Sequence, residues 1–166
     1  MPTTIDLDAG GTRSHSWFDT FTPWVPWASR LTLGCPWPNE RLHIYGGVYL
    51  LAHFPDGPPG GAANYLDPST VYVGEGGHLK SRWNQFDRAA RGGDGHSGGT
   101  SYIAEYGSPR ADLHVAAVGV WFSDDETANK PDEKWTTFYR LHVEHHILWA
   151  LLVARNDGGV SLLNKR

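Results

Sequence analysis

Apolar runs predict two strands in the first half of the chain. Residues 44 to 52 form one run, whose glycine pair permits a β-bulge. Residues 70 to 74 form a second run, rich in β-branched side chains. Residues 54 to 69, between the two runs, contain four prolines and several glycines, which favours a loop. We therefore expect a β-hairpin with a long connection.

The next part of the chain alternates between helical and strand patterns. An apolar stripe with spacings of four, three and four residues predicts a helix. The stripe consists of Leu79, Trp83, Phe86 and Ala90. The glycine-rich residues 92 to 99 are expected to end this helix and to form a flexible loop. Residues 113 to 122 predict a third strand, largely buried.

A second and longer helix is predicted over residues 133 to 154. Its apolar face is expected to consist of Phe138, Leu141, His145, Leu148 and Leu152. The chain then turns at residues 156 to 159, which are Asn-Asp-Gly-Gly. The order strand, strand, helix, strand, helix predicts an α+β domain, with a small, mainly antiparallel three-stranded sheet flanked by helices.

The first 43 residues show neither helical nor strand periodicity. Tryptophans and prolines are interleaved here, as Trp17, Pro23, Trp24, Pro26, Trp27, Pro36, Trp37 and Pro38. Prolines prevent sustained strand pairing, so we expect residues 1 to 43 to form an irregular arm. The arm is expected to pack on a main domain of residues 44 to 166, with the tryptophans filling its grooves. A dimer contact and a base-stacking role for these tryptophans both stay open.

Composition is that of one globular domain. The chain has 166 residues, of which 40% are hydrophobic, enough for a single core. Its one cysteine, Cys35, excludes an internal disulfide and a cysteine-based zinc site, and fits a reducing cytoplasm. No apolar run reaches 18 residues, and the first residues do not resemble a secretory signal, so we expect neither a membrane span nor secretion.

Charge is unevenly distributed along the chain. The net charge of -4 is unusual for a DNA-binding protein. Residues 78 to 91, however, carry four cations, Lys80, Arg82, Arg88 and Arg91, against Asp87 alone. Residues 124 to 134 are mainly acidic. One face could therefore attract DNA, although both runs are also compatible with ordinary solvated surface.

Two tripeptides and three later residues resemble the GIY-YIG nuclease superfamily. Gly-Val-Tyr at residues 47 to 49 and Tyr-Val-Gly at residues 72 to 74 resemble its paired motifs. Arg82 follows Tyr72 by ten residues, on a predicted helix, as the family's arginine does. Glu144 lies on a later helix, as the family's metal-binding glutamate does, and Leu-Leu-Asn at residues 162 to 164 resembles its terminal element. The resemblance covers residues 44 to 164 and is nearest to the restriction-endonuclease branches, because the connection between the two tripeptides is long.

Two positions depart from the family's pattern. Many members carry a lysine three residues after the second motif tyrosine, where this chain has Glu75. Either Lys80 supplies that charge or the role is absent. Asn156 and Asn164 are both candidates for the terminal asparagine of the family. The local sequence around Asn164 matches the family better, so we favour Asn164.

The resemblance implies a metal-dependent endonuclease that hydrolyses phosphodiester bonds in double-stranded DNA. Tyr49 would orient or deprotonate the attacking water with Tyr72 as its partner, and Arg82 would bind the scissile phosphate. Glu144 would hold Mg²⁺ or Mn²⁺. His96 would bind a phosphate or transfer a proton, and Asn164 completes the implied catalytic set. Lys80, Arg82, Arg88 and Arg91 are the expected DNA-binding cations, and a homodimer would allow both strands to be cut.

Other classes of function stay open on the sequence alone. The tyrosines could be ordinary strand aromatics, and Glu75 with the acidic net charge would suit a non-catalytic binding module on a degenerate nuclease fold. His142 and His146 have zinc-ligand spacing, and with His114 they could form a zinc hydrolase. Within the nuclease class, a restriction enzyme and a phage or mobile-element nuclease are both compatible with the sequence.

Overall fold

A computed structural model describes residues 21–33, 46–120, 133–155 and 162–164. The fold is α+β, as expected, but its antiparallel sheet has four strands rather than three. The strands are β1 (Val25–Pro26), β2 (Gly47–His53), β3 (Thr70–Gly76) and β4 (Leu113–Gly119). Their spatial order is β1-β4-β2-β3, so β2 pairs with both β3 and β4.

The additional strand comes from the segment that was expected to be wholly irregular. Val25 pairs with Val115 and Pro26 with His114, which adds β1 to one edge of the sheet. Proline is tolerated there because an edge strand does not need every amide for pairing. Two residues are too few to produce a recognisable pattern, which is why the sequence did not indicate β1.

In the described part of the chain, four helical segments pack around the sheet. A 3-10 helix spans Trp27–Thr32, and three α-helices follow: α1 (Leu79–Ala90), α2 (Ser97–Tyr106) and α3 (Glu133–Ala154). The bounds expected for α1 and α3 are confirmed. The expected flexible loop at residues 92 to 99 is wrong in its second half, because α2 begins at Ser97.

The glycines of α2 serve close packing rather than flexibility. A Cβ atom at Gly99 would lie 2.6 Å from the Phe86 carbonyl oxygen and 2.7 Å from the Ala89 Cβ. Only glycine therefore allows α2 to approach α1 this closely. Low helix propensity hid the helix from the sequence pattern, although packing against α1 stabilises it.

The sheet separates two layers of core side chains. On one face, Val48, Leu50 and Val73 pack with Val143 and Ile147 of α3. On the other face, the tyrosines of β2 and β3 pack with α1 and α2, in a cluster that includes Tyr49, Tyr72, Trp83, Phe86 and Tyr102. Alternation along each strand produces this division. Tyr49 and Tyr72 therefore lie on the α1/α2 side.

The expected apolar face of α3 is largely wrong. Phe138 and Leu152 are 56% and 58% exposed, and His145 is exposed, whereas only Leu148 of the expected five is buried. The helix is apolar on several sides, so its spacing is compatible with more than one stripe. The buried stripe is Tyr139, Val143, Ile147, Leu148 and Leu151.

Two of the arm's tryptophans fill grooves on the main body, as expected. Trp24 is buried with its ring 5.1 Å from that of Phe54, and Trp27 is buried 5.4 Å from Phe86. The Trp27 indole N–H also donates to Asp87 at 2.8 Å. Trp17 and Trp37 lie outside the described residues.

Within residues 21–33, 46–120, 133–155 and 162–164, no helix is both long enough and apolar enough to cross a bilayer.

Candidate active site

Tyr49 and Tyr72 lie side by side in the layer between the sheet and helices α1 and α2. Their ring centroids are 6.0 Å apart. Gly74, opposite Tyr49 in the β2–β3 register, makes room for both rings. A Cβ atom there would lie 2.6 Å from the Tyr49 hydroxyl oxygen and 2.7 Å from Tyr72 Cε1. The glycine of the second tripeptide therefore permits the tyrosine pair to form.

His96 joins this pair from the N-terminus of α2. As the N-cap of that helix, its Nδ1 accepts from the Gly99 amide at 3.2 Å. Its Nε2 lies 3.3 Å from the Tyr49 hydroxyl oxygen. Because Nδ1 is an acceptor, a neutral ring carries its proton on Nε2 and donates it to Tyr49. Burial, reinforced by the charge of Arg82, lowers the pKa of His96 to about 4, so the ring is neutral at pH 7.

The two tyrosines also affect each other's pKa, although less than burial does. Tyr72 raises the pKa of Tyr49, and Tyr49 lowers that of Tyr72. Burial is the largest influence on both, and it raises the pKa of Tyr49 well above 10 and that of Tyr72 to about 12. Both phenols therefore keep their protons at neutral pH. Tyr49 is 0% exposed and Tyr72 5%, so Tyr72 is the outer member of the pair.

Arg82 brings a positive charge to the tyrosines from α1. Its stem packs on β3, where Gly76 leaves room: a Cβ atom there would lie 3.1 Å from the Arg82 Cβ. Its Nη1 donates to Gln85 at 3.4 Å, and in the described part of the chain its buried Nε has no hydrogen-bond partner. The charge of Arg82 lowers the pKa of both tyrosines, against the effect of burial. Arg82 thus combines a fixed stem with spare donor capacity, as an anion-binding arginine does.

Glu144 acts on the tyrosines from α3. That helix packs against β3 and β2, on the face of the sheet opposite the two tyrosine rings. The Glu144 carboxylate is close enough for its negative charge to raise the pKa of Tyr49 and of Tyr72. The side chain is partly exposed. A carboxylate, an arginine and two phenols on four separate elements thus influence one another electrostatically.

Asn164 holds the edge strand that carries Tyr72. Its side-chain oxygen accepts from the Val73 amide at 3.0 Å, and its Nδ2 donates to the Val73 carbonyl oxygen at 2.7 Å. The amide therefore pairs with β3 as a neighbouring strand would, directly beside Tyr72. Asn156, the competing candidate, lies outside the described residues.

The remaining expected DNA-binding cations lie on the exposed face of α1. Lys80, Arg88 and Arg91 are exposed, and their spacing of eight and three residues places them on one side of the helix. Arg88 Nε donates to the Asp94 carbonyl oxygen at 2.9 Å, and Arg91 pairs with Asp87 at 2.9 Å. Arg82 lies on a different side of α1, against β3. The basic run therefore divides into an outer patch and one inner arginine.

One charged residue near the site was not indicated by the sequence. Arg140, one turn before Glu144 on α3, is only 8% exposed and forms a 3.1 Å ion pair with Glu75. The position that is often lysine in GIY-YIG nucleases is therefore the anion of a partly buried ion pair, and Lys80 is exposed on α1. In the sequence, only its position four residues before Glu144 indicated that Arg140 lies near the site. That spacing does not reveal its partner on β3.

The donors at the site fit one hard divalent ion. Mg²⁺ is commonly held by one or two carboxylates together with waters and substrate phosphate oxygens, so Glu144 alone would suffice on the protein side. Zinc sites need at least three protein ligands. Within residues 21–33, 46–120, 133–155 and 162–164, no three His, Cys, Asp or Glu side chains are grouped to hold an ion. His114, His142 and His146 thus do not form the zinc set considered above.

Comparisons of the chain with protein-family models, with curated proteins and with solved structures found no match. The resemblance to the GIY-YIG nucleases therefore rests on the sequence motifs alone.

Proposed function

We propose that this chain is a metal-dependent endonuclease that hydrolyses phosphodiester bonds in double-stranded DNA. One observation carries the proposal. The rings of Tyr49 and Tyr72 lie 6.0 Å apart, His96 Nε2 lies 3.3 Å from the Tyr49 hydroxyl, and the charges of Arg82 and Glu144 act on the pKa of both tyrosines. Independent packing requirements would not be expected to gather these particular residue types.

The chain's own groups divide the work of phosphodiester hydrolysis among them. Arg82 directs its spare guanidinium donors to the scissile phosphate, where its permanent charge stabilises the developing negative charge. Neutral His96 donates to Tyr49, which holds that ring beside Tyr72. Tyr72, the more exposed of the two, would donate its proton to a phosphate oxygen or to the attacking water.

The raised pKa values limit the role of the tyrosines. Since both phenols are protonated at neutral pH, they orient the attacking water rather than deprotonate it in the free protein. Glu144 would hold Mg²⁺ or Mn²⁺, which supplies charge relief at the leaving oxygen. Asn164 keeps the backbone of β3 in place beside Tyr72.

Double-stranded DNA is the proposed substrate, with Lys80, Arg88 and Arg91 contacting its backbone phosphates. Within the nuclease class we favour a restriction-type enzyme, and a phage or mobile-element nuclease is the alternative. A cytoplasmic location, suggested by the single cysteine, and a homodimer that cuts both strands remain predictions.

A non-catalytic binding module is the second candidate. The complete burial of Tyr49, whose ring also lies edge-on to Trp83 at 6.2 Å, favours it, because a purely structural tyrosine would have the same surroundings. Such a module would bind DNA or protein without cutting DNA in any divalent metal.

Cleavage of supercoiled plasmid by the full chain tests the proposal. The expected result is nicking or linearisation in Mg²⁺ or Mn²⁺ that a chelator abolishes. Glu144→Gln should lower the rate at least ~100-fold, whereas the matched control Glu105→Gln, an exposed carboxylate on α2, should cut normally. Absence of cutting by folded protein in both metals would favour the binding module.

A further inference from the structure

Arg140 is a buried cation with two fixed partners. It is 8% exposed, and its Nε lies 3.1 Å from Glu75 Oε2. Its Nη2 donates to Thr137 Oγ1 at 3.3 Å. Arginine is rarely this buried unless it is paired, and removal of one partner leaves an uncompensated charge. The pair is therefore a strong constraint on how α3 lies against β3.

The backbone around the guanidinium is adapted to it. A Cβ atom at Gly46 would lie 3.0 Å from Nη1, and one at Gly77 would lie 3.4 Å from Nη2. Gly46 immediately precedes β2 and Gly77 immediately follows β3. The guanidinium thus occupies a space that these two glycines leave beside the paired strand ends.

The pair joins the two elements whose relative position matters for the site. Arg140 and Glu144 are four residues apart, so they are neighbours on one side of α3. Glu75 lies on β3, three residues after Tyr72 and on the face that Val73 presents to α3. The ion pair therefore connects the strand that carries Tyr72 to the helical turn before Glu144.

We propose that the ion pair between Arg140 and Glu75 positions Glu144, by fixing α3 on β3, the strand that carries Tyr72, so that the carboxylate can receive a divalent ion. The inference rests on the proposed function, since it assigns the positioned carboxylate to metal binding. Arg140 and Glu75 are positioning residues in this account, with no contact to substrate.

Binding of Mn²⁺ alone to the full chain, with free Mn²⁺ counted by electron paramagnetic resonance, tests the proposal. The informative variant is Arg140→Gln, because electrostatics and positioning predict opposite results. Loss of a nearby positive charge by itself strengthens cation binding. Loss of positioning weakens it, and we expect a dissociation constant at least ~5-fold higher. Arg110→Gln, at an exposed arginine paired with Asp112, is the matched control and should leave the dissociation constant for Mn²⁺ unchanged.

Two further variants keep the test decisive. If Arg140→Gln does not fold, the double variant Glu75→Gln and Arg140→Gln removes both charges, avoids an unpaired buried carboxylate, and should show the same weakening. Arg140→Lys retains the ion pair and should recover most of the affinity. Unchanged or tighter Mn²⁺ binding in the Gln variants, with wild type that binds Mn²⁺ and cuts DNA, would overturn this inference alone. Wild type that neither binds Mn²⁺ nor cuts DNA would overturn the proposed function together with it.

Discussion

At the scale of single residues, the site depends on how burial acts on ordinary side chains. Burial raises the pKa of both tyrosines and lowers that of His96, so all three are neutral at pH 7. Arg82 stands next to them with its stem packed on Gly76, and in the described part of the chain its buried Nε has no hydrogen-bond partner. Neutral hydrogen-bonding groups beside one arginine suit binding of a phosphate better than proton abstraction.

His96 makes stability depend on pH in a defined direction. Its pKa is about 4 in the folded chain against an ordinary value of 6.5, so the unfolded state binds more protons between these values. The stabilisation is therefore complete above about pH 6.5 and is lost as the pH falls towards 4. After allowance for solvent screening, we expect the titration of His96 to lower the free energy of unfolding by about 1–2 kcal/mol between pH 7 and pH 5.

The variant His96→Asn isolates this effect, because asparagine also caps helices but does not titrate. Urea unfolding at pH 7 and pH 5 should show a smaller loss of stability in the variant than in wild type. Equal losses in both proteins would mean that the ring is not held neutral.

At the scale of elements, the periodicity of apolar residues was sufficient to predict a helix and its ends. The bounds of α1 and α3 were predictable for that reason, and the motif order placed the tyrosines, Arg82 and Glu144 on the right elements. The helix α2 was not predictable, since glycines at residues 98 and 99 lower helix propensity and their benefit lies in contact with Tyr72 and α1. The Arg140–Glu75 pair was equally hidden, because it joins residues 65 positions apart on two elements.

The space that Gly74 leaves for Tyr49 and Tyr72 can be tested by substitution. In Gly74→Ala the added Cβ would lie 2.6 Å from the Tyr49 hydroxyl, which must shift. We expect a loss of about 1–3 kcal/mol in the free energy of unfolding, measured with urea, and slower DNA cleavage.

The matched control is Gly60→Ala in the long loop, where no atom lies within 4 Å of the added Cβ. Its stability should stay within about 0.5 kcal/mol of wild type. If both alanine variants were equally stable, Gly74 would not be needed for the tyrosine pair.

At the scale of the whole molecule, the proposed function requires an acidic chain to bind an acidic polymer. The net charge is -4, yet Lys80, Arg88 and Arg91 form an exposed basic patch on one side of α1. Local potential rather than net charge steers a charged ligand to its site. DNA binding should therefore depend strongly on salt and on this patch.

Replacement of Lys80, Arg88 and Arg91 by alanine together tests the patch. The logarithm of DNA affinity falls with the logarithm of salt concentration, and each lost phosphate contact makes this slope shallower by about 1. The slope of the triple variant should therefore be shallower by roughly 2–3. Fluorescence anisotropy with labelled duplex in Ca²⁺ measures the slope, with Lys134→Ala, an exposed lysine on α3, as control. A slope equal to that of wild type would place the DNA elsewhere.

The central claim is that residues from separate elements form one catalytic centre, and single-turnover cleavage at saturating enzyme tests it most directly. The rate constant with labelled duplex in Mg²⁺ or Mn²⁺ should fall at least ~100-fold in Arg82→Ala and in Glu144→Gln. In Tyr72→Phe it should fall at least ~10-fold, with Arg110→Ala and Glu105→Gln as controls at the wild-type rate. Rates within about threefold of wild type in Arg82→Ala and Glu144→Gln, in folded proteins that bind DNA, would contradict the account.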